Sequence, residues 1–598
     1  MTRTAPIAFA VLVVATFAAF FAAQALKTTP PNVQDIRADP FFSPNRDGRF
    51  DRARMSFFLK RSDDVTATVV NRAGDEIRML EDNEPLTAGE RMRLVWDGTD
   101  DRGEAVPDGI YRIRLNLRRQ GRSVLVPRNI RKDTVPPSVR VTSIGPDRTP
   151  GAELLPRADG APARINFQTG GRRREIVVYR TDVRPARAVF DEPIRLADDA
   201  TRWEWDGTAN GRRVAAGTYV VVVRARDQAG NIGSSVPVPP RPEFGEPFAG
   251  RGGITVRYLT AQGPSGPVKA RETASVAVDS VGERFTWRLR RVGSSAVRNS
   301  GSGTRSRVVR FQAPPGKSGL YVFEVRTRTR RTATPLVVQS RSDNDVLVVL
   351  PVTTWQGLNP VDDEGDGRPN TLSAGLPVRV ARPYVKDGLP DQIRRNEALL
   401  LAQLDRAGRR YDLTTDVALA RGEGPTLDGH RGVIIAGDAR WLDAGVARSL
   451  RDFVRDGGRL LSVGTGSLRR SVTLTAGGRA ISPTQPTARD LFGAQLAPIV
   501  REPVTLVNTA DRIDLFSGTT GQFGTFGAFE QTIDVEGGAS AVAASAATQD
   551  ATRQVIVAAR VGRGLVIRPG LPEFSASLRE NPELAELLTR IWTLLRTR

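Results

Sequence analysis

The chain has 598 residues, 39% hydrophobic and 26% charged, with no cysteine, one histidine and a formal net charge of +21. That length calls for several domains at roughly 100–200 residues each, with ordinary apolar content for their cores. The missing cysteine and the lone His430 exclude disulfides, thiol nucleophiles, cysteine-ligated metals and multi-histidine sites, and leave His430 as the one base open to a Ser-His-Asp triad.

Nearly all the positive charge is arginine. Such an excess attracts polyanions, and it also follows from arginine-rich residue usage alone. The arginines are scattered, and the densest runs, Arg172-Arg173-Arg174 and Arg328 to Arg331, are short. No nucleic-acid-binding motif accompanies them, so no nucleic acid partner is expected.

Ala5 to Leu26 carries no charge and lies between Arg3 and Lys27. As a helix it would span about 33 Å, enough for a bilayer core of about 30 Å. Ala23-Gln24-Ala25 also has the form of a signal-peptidase site. The segment is therefore expected to be a transmembrane signal-anchor (1–27) or a cleaved signal. The body would lie outside the membrane, secreted if the segment is cut, with the membrane as its first partner.

After a linker (28–38), two stretches repeat. Trp96-Asp97-Gly98-Thr99, Gly103, Gly109 and Tyr111 are echoed by Trp205-Asp206-Gly207-Thr208, Gly211, Gly217 and Tyr219, with the tryptophans 109 and the tyrosines 108 residues apart. Each reads as strand, Asp-Gly turn, loop, glycine turn and strand, the pattern of an antiparallel β-sandwich of about 100 residues. Phe42-Ser43-Pro44-Asn45-Arg46-Asp47-Gly48, with the Trp-Asp-Gly and Pro-Asp-Gly-Ile-Tyr turns, resembles immunoglobulin-like modules of the flagellar hook-cap (FlgD) type. The resemblance covers 39–134 and 135–236 and implies structure and spacing rather than catalysis. Asp133 to Pro137 separates the two modules. Pro237 to Pro247, with five prolines, reads as a stiff extended connector closing the second (135–247). A third β-rich unit (248–342) starts with a strand at Ile254 to Tyr258 and lacks the Trp-Asp-Gly turn.

From Asp345 the pattern changes. Val346 to Leu350 is an unbroken apolar run, as in a strand buried on both faces. Helical spacing over 391–407, a strand at Gly432 to Ala436, a helix over 442–456, a strand at Leu460 to Val463, strands at Val555 to Ala559 and Leu565 to Ile567, and a helix from Glu580 to Leu595 follow. The alternation predicts an α/β three-layer domain (343–598) with a mostly parallel sheet. Ligands would then sit beyond the carboxyl ends of the strands, at Pro351 to Asn359, Gly437 to Trp441 and Gly464 to Ser467. The order of elements is that of flavodoxin-like and class I glutamine-amidotransferase-like folds. That enzyme class needs a cysteine, and His430 falls at the opposite strand edge, where a surface position is expected.

Thr354-Trp355-Gln356-Gly357-Leu358-Asn359 and Gly437-Asp438-Ala439-Arg440-Trp441 resemble the Trp-Gln-Ala-Tyr-Asn and His-Asp-Glu-Tyr-Trp runs of the large subunit of N,N-dimethylformamidase, with Ser318-Gly319-Leu320-Tyr321 upstream. The resemblance covers roughly 315–470 plus the closing strand and helix. It implies an iron-dependent amidase whose metal is held by two tyrosines and a glutamate. Carried over, one tyrosine falls on Tyr321, the second on Leu358, and the glutamate on or next to Ala439, beside Arg440. Two of the three positions are apolar, so no metal or other cofactor is expected there. Trp355, Gln356, Asn359, Asp438, Trp441 and Thr465 form the candidate cleft. Asp362, Glu364, Asp366 and Gly367 mimic the first half of a calcium loop, though Ser373 stands where its glutamate would be. Asn45, Asp47 and Asp51 have a similar spacing, and Gly464-Thr465-Gly466 is a short glycine turn open to an anion. The expected function is an exported, non-catalytic surface protein whose degenerate α/β domain binds a protein or cell-wall glycan. The alternative is an extracytoplasmic amidase-like hydrolase using the same cleft.

Overall fold

The computed structural model describes residues 9, 11–20, 32–145, 153–241, 243–246, 252–545 and 553–597. Of the apolar N-terminal segment, residues 11–20 are helical, with Leu12, Val14 and Phe17 exposed, and the rest of the segment apart from Phe9 lies outside the described residues. Among the described residues no helix is long and apolar enough to cross a membrane.

The first module pairs a sheet of Val33–Ala38, Ala53–Leu59 and Arg91–Trp96 with a larger one ordered Phe41–Phe42, Ile130–Lys132, Gly109–Leu117, Asp63–Val70 and Glu76–Leu86. Alternate residues of Ala53–Leu59 and Gly109–Leu117 face one core around Trp96, as a sheet's two-residue period requires. The second module repeats the plan, and its repeat is atomic. Trp96 Nε1 donates to Thr99 O at 2.9 Å and Trp205 Nε1 to Thr208 O at 2.7 Å. Asp97 and Asp206 each accept from the threonine two residues on, and Tyr111 and Tyr219 each donate to the carbonyl four residues back.

The strand order also revises the second boundary. In the first module the hairpin strand Arg122–Leu125 is followed by Ile130–Lys132, which returns to pair with Gly109–Leu117. In the second, Ile232–Ser234 plays the hairpin part, and the returning strand is Gly253–Val256, antiparallel to Gly217–Arg226. The strand expected to open the third unit therefore belongs to the second core, which also takes in Tyr258. The proline-rich stretch lies between two strands of one sheet and is not a connector between modules. It is also no spacer, since Gly245 N donates to Ala374 O at 2.8 Å in the C-terminal domain. Pro242 and Pro247 lie outside the described residues.

The third module also pairs a three-stranded sheet with a larger one, here of five strands, without the tryptophan turn. Trp287 replaces it, stacked on Phe323 with ring centroids 5.0 Å apart.

In the C-terminal domain the strands run in the order Asp412–Thr415, Val346–Leu350, Gly432–Ile435, Arg459–Ser462 and Gly564–Arg568, all parallel. Val346, Val348 and Leu350 face a core with the helices Glu397–Arg406 and Pro582–Arg596. Leu347 and Val349 face the opposite one with the helix Ala444–Arg455. Both faces of the sheet are thus covered, which is why these strands are apolar without alternation. The sheet then continues antiparallel through Gln554–Val561, Ala541–Ser545, Val504–Asp511 and Gln522–Phe526. It is a mixed sheet, and this wing was not expected. The helix expected over 391–407 breaks at Asn396 into Asp391–Arg395 and Glu397–Arg406.

Candidate functional site

Pro351 ends the first parallel strand and the chain turns at once into the helix Val352–Leu358, where a strand-end loop was expected. This helix buries Thr354, Trp355 and Gln356 at the carboxyl ends of the strands. Thr354 Oγ1 accepts from Arg440 N at 2.9 Å, tying the helix to the segment after the third strand. Ser467 Oγ accepts from Ala439 N at 3.0 Å. Trp355, Gln356, Asn359, Asp438, Trp441 and Thr465, the expected cleft residues, do meet in this region, but most of their polar atoms bond inward.

Gln356 Nε2 donates to Arg382 O at 2.9 Å, while its Oε1 accepts from Asn359 Nδ2 at 3.1 Å and Arg382 Nε at 3.2 Å. Asn359 Oδ1 accepts from Val385 N at 3.1 Å. The buried Arg382 guanidinium donates to the carbonyls of Gln356, Asn359, Val361 and Asn370 and pairs with Asp363 at 2.9 Å. Arg382 was not singled out in the sequence, because nothing local marks an arginine that closes a loop over a helix end.

The glycine turn is filled from within. Thr465 N donates to Asp438 Oδ1 at 3.1 Å and Gly466 N to Glu530 Oε1 at 2.8 Å, so the protein's own carboxylates occupy the amides an anion would use. Glu397, also missed in the sequence, accepts from Trp355 Nε1 at 3.0 Å, and its other oxygen has no hydrogen-bond partner. Burial pushes Glu397 up to about 8 and Glu530 up to about 7, and raises Asp438 against the pull of Arg440. Asp416, whose carboxylate accepts from Thr353 N at 3.1 Å, is raised by burial to about 7.

The positions carried over from dimethylformamidase do not form one site. Tyr321 belongs to the core of the third sandwich, with the Arg291 guanidinium over its ring. Leu358 packs against the core on one face of the α/β sheet and Ala439 within the core on the other. Arg440 pairs with Asp438 at 3.4 Å. The tyrosine that does lie beside Gln356 is Tyr384, its phenol raised by burial against the opposing pull of that amide. Leucine and alanine offer iron no lone pair, and among the described residues no group of three His, Cys, Asp or Glu side chains is placed to hold a metal ion. The carried-over positions, with Leu358 and Ala439 in place of a tyrosine and a glutamate, therefore do not fit the implied iron.

The calcium-like loop has a different use. The Asp362 carboxylate is turned onto the backbone N–H groups of Glu364, Gly365 and Gly367, at 3.2, 2.7 and 2.7 Å. Asp366 accepts from Arg368 N and Glu364 from Arg479; burial and the neighbouring Asp366 charge raise Asp362, and among the described residues no three such acids are grouped to hold a cation. The loop is a docking surface for the second sandwich: Gly253 N donates to Gly365 O at 3.0 Å and Thr181 Oγ1 to Gly367 O at 2.6 Å. Asn45, Asp47 and Asp51 likewise cap their own turn.

His430 is not a surface residue. Its side chain is 7% exposed, and Nε2 lies 3.0 Å from Asp412 Oδ2. Asp412 also accepts from Gln339 Nε2 at 2.9 Å and Asn344 Nδ2 at 2.7 Å, which makes it the joint between the third sandwich and the edge of the parallel sheet. Arg291 and Asp405, 2.6 Å apart, form a second tie across the same junction.

Comparison with solved structures gives weak likenesses such as the following. A β-galactosidase from Bacillus circulans sp. alkalophilus is 15% identical over 42% of this chain and 31% of its own, with a TM-score of 0.26. One from Rahnella sp. R3 is 16% identical over 33% and 27%, with a TM-score of 0.22. A Bacteroides ovatus mixed-linkage glucan utilization protein, SGBP-B, is 13% identical over 52% and 68%, with a TM-score of 0.16. The matched region thus spans less than a third of each galactosidase, and superpositions at these scores carry no argument. No curated protein sequence matches. Residues 306–490 match the family described as N,N-dimethylformamidase beta subunit-like, C-terminal, so that this part of the chain, straddling the third sandwich and the first half of the α/β domain, is similar to the C-terminal part of those subunits.

Proposed function

We propose that the chain is an exported, membrane-anchored and non-catalytic surface protein. Its FlgD-type immunoglobulin-like sandwiches carry a degenerate dimethylformamidase- and amidotransferase-like domain that binds a protein or cell-wall glycan. The observation that supports it best is the inward closure at the strand ends. Gln356, Asn359, Arg382 and the amides of Thr465 and Gly466 are bonded to one another, to nearby backbone groups or to the protein's own carboxylates. An enzyme cleft needs polar groups aimed at a substrate. The uncharged run Ala5 to Leu26 supports export and tethering.

One observation favours an extracytoplasmic hydrolase instead. Glu397, Asp438 and Glu530 are buried near the strand ends with raised proton affinity, as general acids are. A panel of small amides and esters separates the two readings. The non-catalytic reading predicts no turnover above buffer. Hydrolysis that disappears in Glu397→Gln or Asp438→Asn would establish the alternative.

A further inference from the structure

The short arginine run of the second module does not stand alone. A hollow of 380 Å³ is lined by Arg49 of the first module and by Arg173, Arg174, Arg195, Arg224 and Arg226 of the second. Only two carboxylates share it, Glu175 and Asp198, which leaves a formal balance of six minus two, or +4. Asp198 is bonded to the backbone N–H of Arg173 at 2.7 Å. Glu175 sits between Arg195 and Arg224 on adjacent strands, 4.0 Å from the Arg224 guanidinium.

Arg226, one of the lining residues, also faces a like charge just outside the hollow. Arg172 lies directly across the ladder from Arg226, and like charges in that position repel. Two of the lining guanidiniums are held in place by backbone carbonyls, Arg226 on Gly230 O at 2.8 Å and Arg174 on Ala200 O, so part of the ordering cost is met before a ligand arrives. Guanidinium forks match the paired oxygens of phosphate and carboxylate groups. The remaining lining is Leu196, Ala225 and Ile232, with no aromatic ring on which a nucleobase would stack.

We propose that this hollow binds the clustered oxyanions of a linear phosphate- or uronate-bearing polymer, independently of the α/β domain. Its volume suits one or two repeat units. The test is titration of the full chain with sodium polyphosphate and, separately, polygalacturonate, at low and at physiological salt; the tighter of the two identifies the source of the oxyanions. The triple variant Arg49→Gln/Arg173→Gln/Arg195→Gln changes exposed side chains, and its control, Arg305→Gln/Arg307→Gln/Arg310→Gln, removes the same charge from exposed positions on the third module. The hollow variant is expected to lose about tenfold or more in affinity with a flatter salt dependence, and the control about twofold at most. Arg195→Gln alone, expected to lose about threefold, keeps the test open if the triple variant folds poorly. No binding of either polymer, equal losses in both triple variants, or equally tight binding of single-stranded DNA of matched charge would overturn the proposal.

Discussion

Replacing Glu397 by glutamine isolates one buried charge. The side chain is inaccessible to solvent, one oxygen accepts from the Trp355 indole, the other is unpartnered, and burial raises its proton affinity from 4.5 to about 8. In the folded chain it therefore stays protonated over an interval in which the unfolded chain has already ionised. The folded state binds the extra proton there, so stability is full below about pH 4.5 and is lost as pH rises to about 8. Each pH unit of that interval is worth about 1.4 kcal/mol, giving an upper bound of about 5 kcal/mol. Relaxation and water entry around the carboxylate reduce this, and about 2 kcal/mol is the working figure. Glutamine mimics the protonated acid and cannot ionise. Relative to wild type, the variant should gain about 4–8 °C in unfolding temperature between pH 5 and pH 9, at about 2–4 °C per kcal/mol for a domain of this size. Asp416 and Glu530 also weaken the fold as pH rises, but they are common to both proteins and cancel. The assay is thermal unfolding of the full chain followed by tryptophan fluorescence. Parallel pH profiles for the two proteins would refute the account of Glu397 as a buried neutral acid.

Trp96→Ala should cost on the order of 3–5 kcal/mol, because the indole fills the first core against Phe42 and Tyr111; solvent quenching of that indole in the native protein would contradict its place there. Arg382→Ala removes a guanidinium that serves four carbonyls and Asp363, and should lower stability by about 3–5 kcal/mol in denaturant titration. Millimolar calcium should leave the unfolding temperature unchanged, because Asp362 is already bonded to three backbone amides; a calcium-dependent rise lost in Asp362→Asn would show otherwise.

What could be read from the sequence was what local chemistry determines. The Trp-Asp-Gly-Thr turn closes through bonds spanning two or three residues, so its recurrence at Trp205 located a second sandwich. The apolar run Val346 to Leu350 signalled burial on both faces for the same reason. Features set by distant partners were not legible. Gly253–Val256 joins the second module because it pairs with Gly217–Arg226 on one side and Glu153–Leu155 on the other, with a proline-rich stretch before it. His430 is buried by Asp412, and Asp362 turns inward where its spacing resembles that of calcium ligands. The same holds at the candidate site. The motif marked Trp355, Gln356 and Trp441, but the side chains that close this region, Arg382, Tyr384, Glu397 and Glu530, come from segments without a recognisable pattern.

The strand-end region, closed by its own hydrogen bonds, is expected not to hold the metal that the dimethylformamidase resemblance implies. The check is metal analysis of the full chain after incubation with ferrous iron or zinc and removal of excess. The account predicts far less than one equivalent per chain, unchanged in Tyr384→Phe and Tyr321→Phe. One tightly held equivalent, lost on substitution of either tyrosine, would contradict it.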